Sequence, residues 1–205
     1  MKSGWISPWW QAFALPDEWD VCGVAVPPLS VWHVFALCNL GNAYLTKSTP
    51  DLDDAASLLL ICSKDMAKGK ELLLPNMANK RCRNIIKMAK RIKGLDAEYI
   101  ERACGEYVDT CTRTPSRFSK GGGTGHPPAV PFTWHIVMLM SDRLPGGLTA
   151  AWNMPYAYGA CLYDAYAEMK GDDSILSTAA QEMEDNWEYY KGIKGTKQIE
   201  LVGSA

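Results

Sequence analysis

The sequence predicts an all-α protein, and three observations carry that prediction. Apolar residues recur at three- and four-residue steps through several stretches, the spacing of one helix face. Ser30, Asp51, Asp96, Thr133 and Asn153 stand where such stretches begin and are residue types that cap helix N-termini. No stretch alternates apolar and polar residues strongly enough to read as a strand. The expected architecture is two similar helical-hairpin units joined by a basic helical middle segment and a Gly/Pro-rich linker. The units emerge when Trp32-His33 is laid over Trp134-His135, an offset of 102 residues (134 less 32). LSVWHVFAL then meets PFTWHIVML. Asp51, opening DLDDAASLLLICS, meets Asn153, opening NMPYAYGACLYDA. Self-similarity at a long period is the mark of one supersecondary design used twice. Residues 1–111 are expected to form an N-terminal helical lobe with a Trp-rich arm. Residues 112–128, TRTPSRFSKGGGTGHPP, read as the linker, and 129–205 as a C-terminal lobe with an acidic last helix.

Taken in order, the first 28 residues hold four Trp and four Pro. Pro8 and Pro16 exclude one continuous helix, leaving room for a short turn in WWQAFAL. This arm, with Trp5, Trp9, Trp10 and Trp19, either packs on the chain's own core or docks on a partner. Ser30 is expected to cap a helix through Leu40, with Gly41 or Asn42 as its stop. Asp51, Asp53 and Asp54 favour the start of a second, largely buried helix, because acids suit the positive end of the helix dipole. From Lys64 to Lys93, ten Lys or Arg face only Asp65 and Glu71, a net +8, and Pro75 divides the segment. Beyond it Ile85, Met88, Ala89 and Ile92 recur at helical spacing, so an amphipathic helix with a basic face is predicted.

Gly94 should end that helix and Asp96 cap the next, whose stripe runs from Tyr99 to Cys111. After the linker, Thr133 is expected to cap a helix through Met140. Residues 144–147 should turn the chain, and a short helix should cover Thr149 to Trp152. Asn153 is then expected to cap a helix with Pro155 in its first turn. Ala157, Ala160, Cys161, Asp164 and Ala165 give this helix a small-residue face. Tyr156, Tyr158, Tyr163 and Tyr166 stand around it as a partner-facing rim or as ordinary packing. Gly171 should stop it. An acidic helix from Ser174 or Ser177 to Tyr190 follows, then a short strand or extended tail around QIELV.

At 205 residues the chain can bury a substantial core, and its net charge of −2 gives no overall pull toward nucleic acid or an acidic membrane. Seven cysteines form no CxxC pair and read as reduced, mostly buried thiols of a cytosolic protein. No apolar run reaches the roughly 18 to 20 residues that would span a bilayer. His33, His126 and His135 lack metal-ligand clustering. His33 and His135 could meet through the repeat, but each is better read as satisfied by backbone or a carboxylate. GGGTGH at 121–126 lacks the Lys-Ser/Thr of a phosphate-binding loop. No nucleophile–base signature is present, so no enzyme, metal or cofactor is expected. The basic face offers one polar candidate, with Arg81, Arg83, Lys87, Lys90 and Arg91 placed to contact phosphates. The absence of aromatics between Leu60 and Lys93 counts against single-stranded nucleic acid.

The run W-x2-C-G-V-A-V-P-P-L-S-V-W-H from Trp19, the following LDDAASLLLICS, and AWNMPYAYGACLYDAYAEMKGDDSILS together resemble uncharacterised proteins encoded among bacteriophage and prophage tail genes. The resemblance spans about two thirds of the chain and rests on structural motifs. It implies a role in virion morphogenesis, in the host cytoplasm during assembly or in the virion itself. The chain would act as a tail assembly chaperone or a small virion component. The partner would be a tape-measure, tail-tube or ring protein, or another copy of the chain. Two further classes stand beside it: an inhibitor of a host protein using the same aromatic surfaces, and a nucleic-acid-associated protein using the basic helix.

Overall fold

The structure, a computed structural model, describes residues 7–46, 48–115 and 130–171. Trp5, His126, most of the Gly/Pro linker and the expected acidic last helix lie outside the described residues. Those described are mostly helical, as expected. Helix α1 (Pro8–Phe13) precedes a hairpin of β1 (Trp19–Val21) and β2 (Val24–Val26). Then come α2 (Val31–Asn39), α3 (Ala43–Thr46), α4 (Leu52–Cys62), α5 (Met66–Leu73), a single 3-10 turn, α6 (Ala78–Ile92) and α7 (Ala97–Thr112). Beyond the linker follow α8 (Phe132–Ser141), α9 (Gly147–Asn153) and α10 (Tyr156–Met169).

The hairpin corrects the expectation of no strand. Val21 pairs with Val24 and Trp19 with Val26 across a two-residue turn. Both turn residues, Cys22 (φ 55°) and Gly23 (φ 73°), are left-handed, the backbone a tight hairpin requires. Asp20 Oδ1 accepts from Gly23 N at 2.8 Å and braces the turn. Three caps form as read: Ser30, Asp51 and Asp96 each accept from the backbone three residues on. Asp54 answers Asp51 by accepting from its N–H, completing a capping box. Two caps do not form. Helix α8 starts from Pro131, so Thr133 lies inside it, and its buried hydroxyl has no partner. Asn153 ends α9 and donates to Thr149 O at 3.0 Å instead of opening α10.

Eight consecutive residues of α4, Ala55 to Cys62, are buried, which makes it the central helix of the core. It packs on α2, α6 and α7, while α2 also meets α5, α8 and α9. Buried residues from both sides of the linker, Leu37 and Leu59 on one and Ile136 and Trp152 on the other, belong to one continuous core. The two expected lobes therefore share their interior. Helix α10 approaches closely because Gly159 carries no side chain. A Cβ there would stand 2.8 Å from Ile136 Cγ2 and 2.9 Å from Met154 Sδ. The small face of α10 is buried as expected, from Ala157 to Asp164. The starts of α2 and α10 are stitched by backbone: Val31 N donates to Met154 O at 2.9 Å, and Tyr156 N to Leu29 O at 2.7 Å. Each helix thus offers its first free N–H to the chain entering the other.

Candidate functional site

The Trp-rich arm folds onto its own chain. Pro8 at the first helical position and Ser7 as cap form α1, which packs on α10. Ala12 is buried against Ala157 and Cys161, with Trp9 half-buried beside them. Phe13 meets Tyr158 edge-on at 4.9 Å, and Arg113 donates to Gln11 Oε1 at 3.1 Å. Trp19 lies in β1 and meets the Tyr107 ring at 5.9 Å. Of the described arm tryptophans only Trp10, 71% exposed, presents its face to solvent.

The four tyrosines of α10 are half-buried, each engaged differently. Tyr163 meets Phe132 edge-on at 5.1 Å and His135 at 6.3 Å. Tyr166 lies beneath two cations, with Arg143 Cζ 5.1 Å and Lys170 Nζ 5.6 Å from its centroid. Tyr156 lies with Phe132 (6.5 Å), and burial pushes its phenol pKa up to about 12. It is therefore a neutral hydrogen-bond donor under ordinary conditions.

On the basic helix the five cations divide. Arg81 donates to Leu72 O at 2.6 Å and holds α6 to α5, while Arg91 reaches Gly23 O at 2.6 Å and pins the hairpin turn. Arg83 donates to Asn79 O within its own helix. Lys87 and Lys90 are exposed, and neither takes part in the one ion pair found among the described residues, Lys68–Asp65. Lys80, Arg83, Lys87 and Lys90 follow at three- and four-residue steps, so the exposed charge runs as one stripe along α6.

His33 and His135 face different neighbours. His33 is buried at the start of α2; its Nδ1 accepts from Ser30 N at 3.1 Å and its Nε2 lies 2.8 Å from Lys64 O. A carbonyl only accepts, so the proton sits on Nε2 and the ring is neutral. Burial lowers its pKa, opposed by the Lys64 hydrogen bond and the nearby Asp65 carboxylate. A folded-state value below the unfolded one makes this stabilisation full above the unfolded pKa and lost as pH falls through the folded value. Unfolding midpoints in urea should therefore decline as pH falls below about 6.5, and a His33→Gln variant should show a flatter decline. Equal slopes in both proteins would remove His33 as the titrating group.

Cys38 and Cys82 are exposed, and the other five cysteines, Cys22, Cys62, Cys104, Cys111 and Cys161, are buried. Burial raises the thiol pKa of Cys104 and Cys161 to about 12 and that of Cys111 to about 11, so these stay protonated. Among the described residues, no three His, Cys, Asp or Glu side chains gather as a metal site would need, and no helix is long and apolar enough to cross a membrane.

The surface that sequence reasoning passed over is the outer side of α8. Phe35, Trp134 and Trp152 form a three-ring cluster, Trp134 meeting Trp152 at 5.0 Å and Phe35 at 6.2 Å. Trp134 is held by these rings yet 36% exposed, and Met138, one turn on, is 64% exposed. Val130 and Leu148 on α9 are further exposed apolar residues nearby in the chain. The signal was present: FTWHIVMLMS is apolar all round, more than one buried face requires. A hollow of about 290 Å³ opens between α2, the first turn of α8 and Tyr156, and Phe35 of the ring cluster also lines it. The chain matches no protein-family model, no curated protein and no solved structure.

Proposed function

We propose that this chain is a bacteriophage morphogenesis protein that works by protein–protein binding, as a tail assembly chaperone or a small virion component. The resemblance of its Trp19–His33, α4 and α10 stretches to tail-region proteins supports the reading. The observation that carries it is the aligned exposure of Trp134 and Met138. A lone exposed apolar residue is ordinary, but a tryptophan fixed in place by neighbouring rings beside an exposed methionine has the make-up of an interface anchor. Its partner is an apolar segment of a tape-measure, tube or ring protein.

The experiment is co-expression of the tagged chain with the tape-measure and tail-tube proteins of the same genome. One of the two should be captured, and Trp134→Glu with Met138→Glu should reduce that capture at least roughly tenfold. Met138→Glu alone, at a position barely packed, should reduce it without altering the melting temperature. Failure to capture either protein, or undiminished capture by the double variant, would reject the reading.

A second reading uses the stripe on α6, a helix of fifteen residues with no acid in it. If that stripe contacts phosphates, affinity for duplex DNA should fall steeply with salt and vanish when Arg83, Lys87 and Lys90 are neutralised. A flat salt response rejects it.

A further inference from the structure

We propose that the basic stripe of α6 is an interaction surface for the chain's own acidic segment, residues 172–190, which docks along it. Helix α6 carries Lys80, Arg81, Arg83, Lys87, Lys90 and Arg91 and no acid, a net +6. Residues 172–190 lie outside the described residues. They carry Asp172, Asp173, Glu182, Glu184, Asp185 and Glu188 and no Lys or Arg, a net −6. The two charges cancel. Lys80, Arg83, Lys87 and Lys90 stand three and four residues apart, a spacing at which like charges repel and weaken a helix. All four are exposed, and none takes part in an ion pair among the described residues. An anionic guest along the stripe relieves that repulsion.

The match extends beyond charge. Ile86, 52% exposed, stands three residues from Arg83 and four from Lys90, an apolar spot at the edge of the stripe. In the segment, Met183 and Trp187 stand among the acids and supply apolar side chains to meet it. Ile86 also lines a hollow with Asp51, Asp53 and Asp54, whose carboxylates repel the segment from that flank and leave it the cationic line. Reach is sufficient. Gly171 closes α10, and the eleven residues from there to Glu182 (182 less 171) can extend about 35 Å. A chain of this length folds to a radius of gyration of roughly 17 Å. Exposed ion pairs are weak singly, but a segment of the same chain meets the stripe at an effective concentration on the order of millimolar. That favours it over the same segment of a second copy. The proposal rests on neither reading of function above.

The test is carbodiimide cross-linking of the purified full-length protein, which joins touching amines and carboxylates directly, followed by peptide mass spectrometry. Amide links from Lys80, Lys87 or Lys90 to Glu182, Glu184, Asp185 or Glu188 are expected at about 50 mM salt. Their yield should fall at least roughly fivefold at about 1 M, where the screening length shrinks to about 3 Å. In an equal mixture of isotope-labelled and unlabelled protein, the links should join peptides of the same label. A second measurement needs no link: the backbone amide resonances of residues 80–90. In a Glu182→Gln, Glu184→Gln, Asp185→Asn, Glu188→Gln variant at low salt, these should lie where the parent's lie at high salt. Links that miss the three lysines, links that mix the labels, or variant resonances unmoved from the parent's at low salt would each overturn the proposal.

Discussion

Tyr107→Ala is expected to lower the free energy of unfolding by about 3–5 kcal/mol, read from urea midpoints at constant m-value. Tyr107 is fully buried in α7 beneath the hairpin, with its ring edge against Trp19. Its hydroxyl donates to Pro27 O at 2.7 Å, fixing the strand that leads from β2 into α2. Burial pushes the phenol pKa well above its ordinary value, with the neighbouring Cys62 and Cys111 thiols acting in the same direction. Removing the ring leaves a cavity and strands that carbonyl together. Tyr107→Phe separates the two contributions: it keeps the packing, loses the hydrogen bond, and should cost about 1–2 kcal/mol. A Tyr107→Ala protein within about 0.5 kcal/mol of the parent would mean that α7 does not close the core as described.

Asn42→Ala should cost about 2–3 kcal/mol by the same measurement. The residue is 1% exposed, and its amide joins α3 to α4. Nδ2 donates to Asp54 O and Ser57 Oγ, both at 2.8 Å, while Oδ1 accepts from Tyr44 N at 3.2 Å. Asp54 reaches back, accepting from Ala43 N at 3.1 Å. Alanine would remove the three bonds the amide makes and leave buried partners short of a hydrogen bond, which is the expensive way to lose one. Asn42→Ser, shorter but still able to bond once, should fall between the parent and alanine. A neutral Asn42→Ala would show that water enters to replace the amide.

What the sequence disclosed was local. Ser30, Asp51 and Asp96 cap because the next three residues alone decide the matter, and Gly171 ends α10 through its own left-handed backbone (φ 94°). Thr133 and Asn153 are equally good cap residues, but the turn of the chain before them places their backbone inside a helix. The hairpin was hidden because its turn is Cys-Gly where Asn-Gly is usual, and each strand has only three residues. Asn42, read as a helix stop, is a buried bridge because α4 folds back over it, which no neighbouring residue announces. The basic face was visible in outline. That Arg81 and Arg91 bond distant carbonyls while Lys87 and Lys90 stay free of ion pairs follows from tertiary packing alone. Likewise Trp9 and Trp19 say nothing of what they lie against; α10, more than a hundred residues away, supplies the surface for Trp9, and Tyr107 of α7 that for Trp19.

The stitch between Leu29–Val31 and Met154–Tyr156 sets a condition on the order of events at the ribosome. Ser30 and Pro155 are 125 residues apart (155 less 30), so the contact spans most of the polypeptide. Helix α2 can coil early, since Ser30 and His33 cap it locally, but Val31 N–H keeps water as its partner until Met154 has left the exit tunnel. At about 5–20 residues per second that wait is on the order of ten seconds. Throughout it, the side of α2 destined for α8 and α9 is bare, including Phe35 and the aliphatic residues around it. Until α8 and α9 arrive, that side of α2 is an exposed apolar surface whose burial waits on the C-terminal third of the chain.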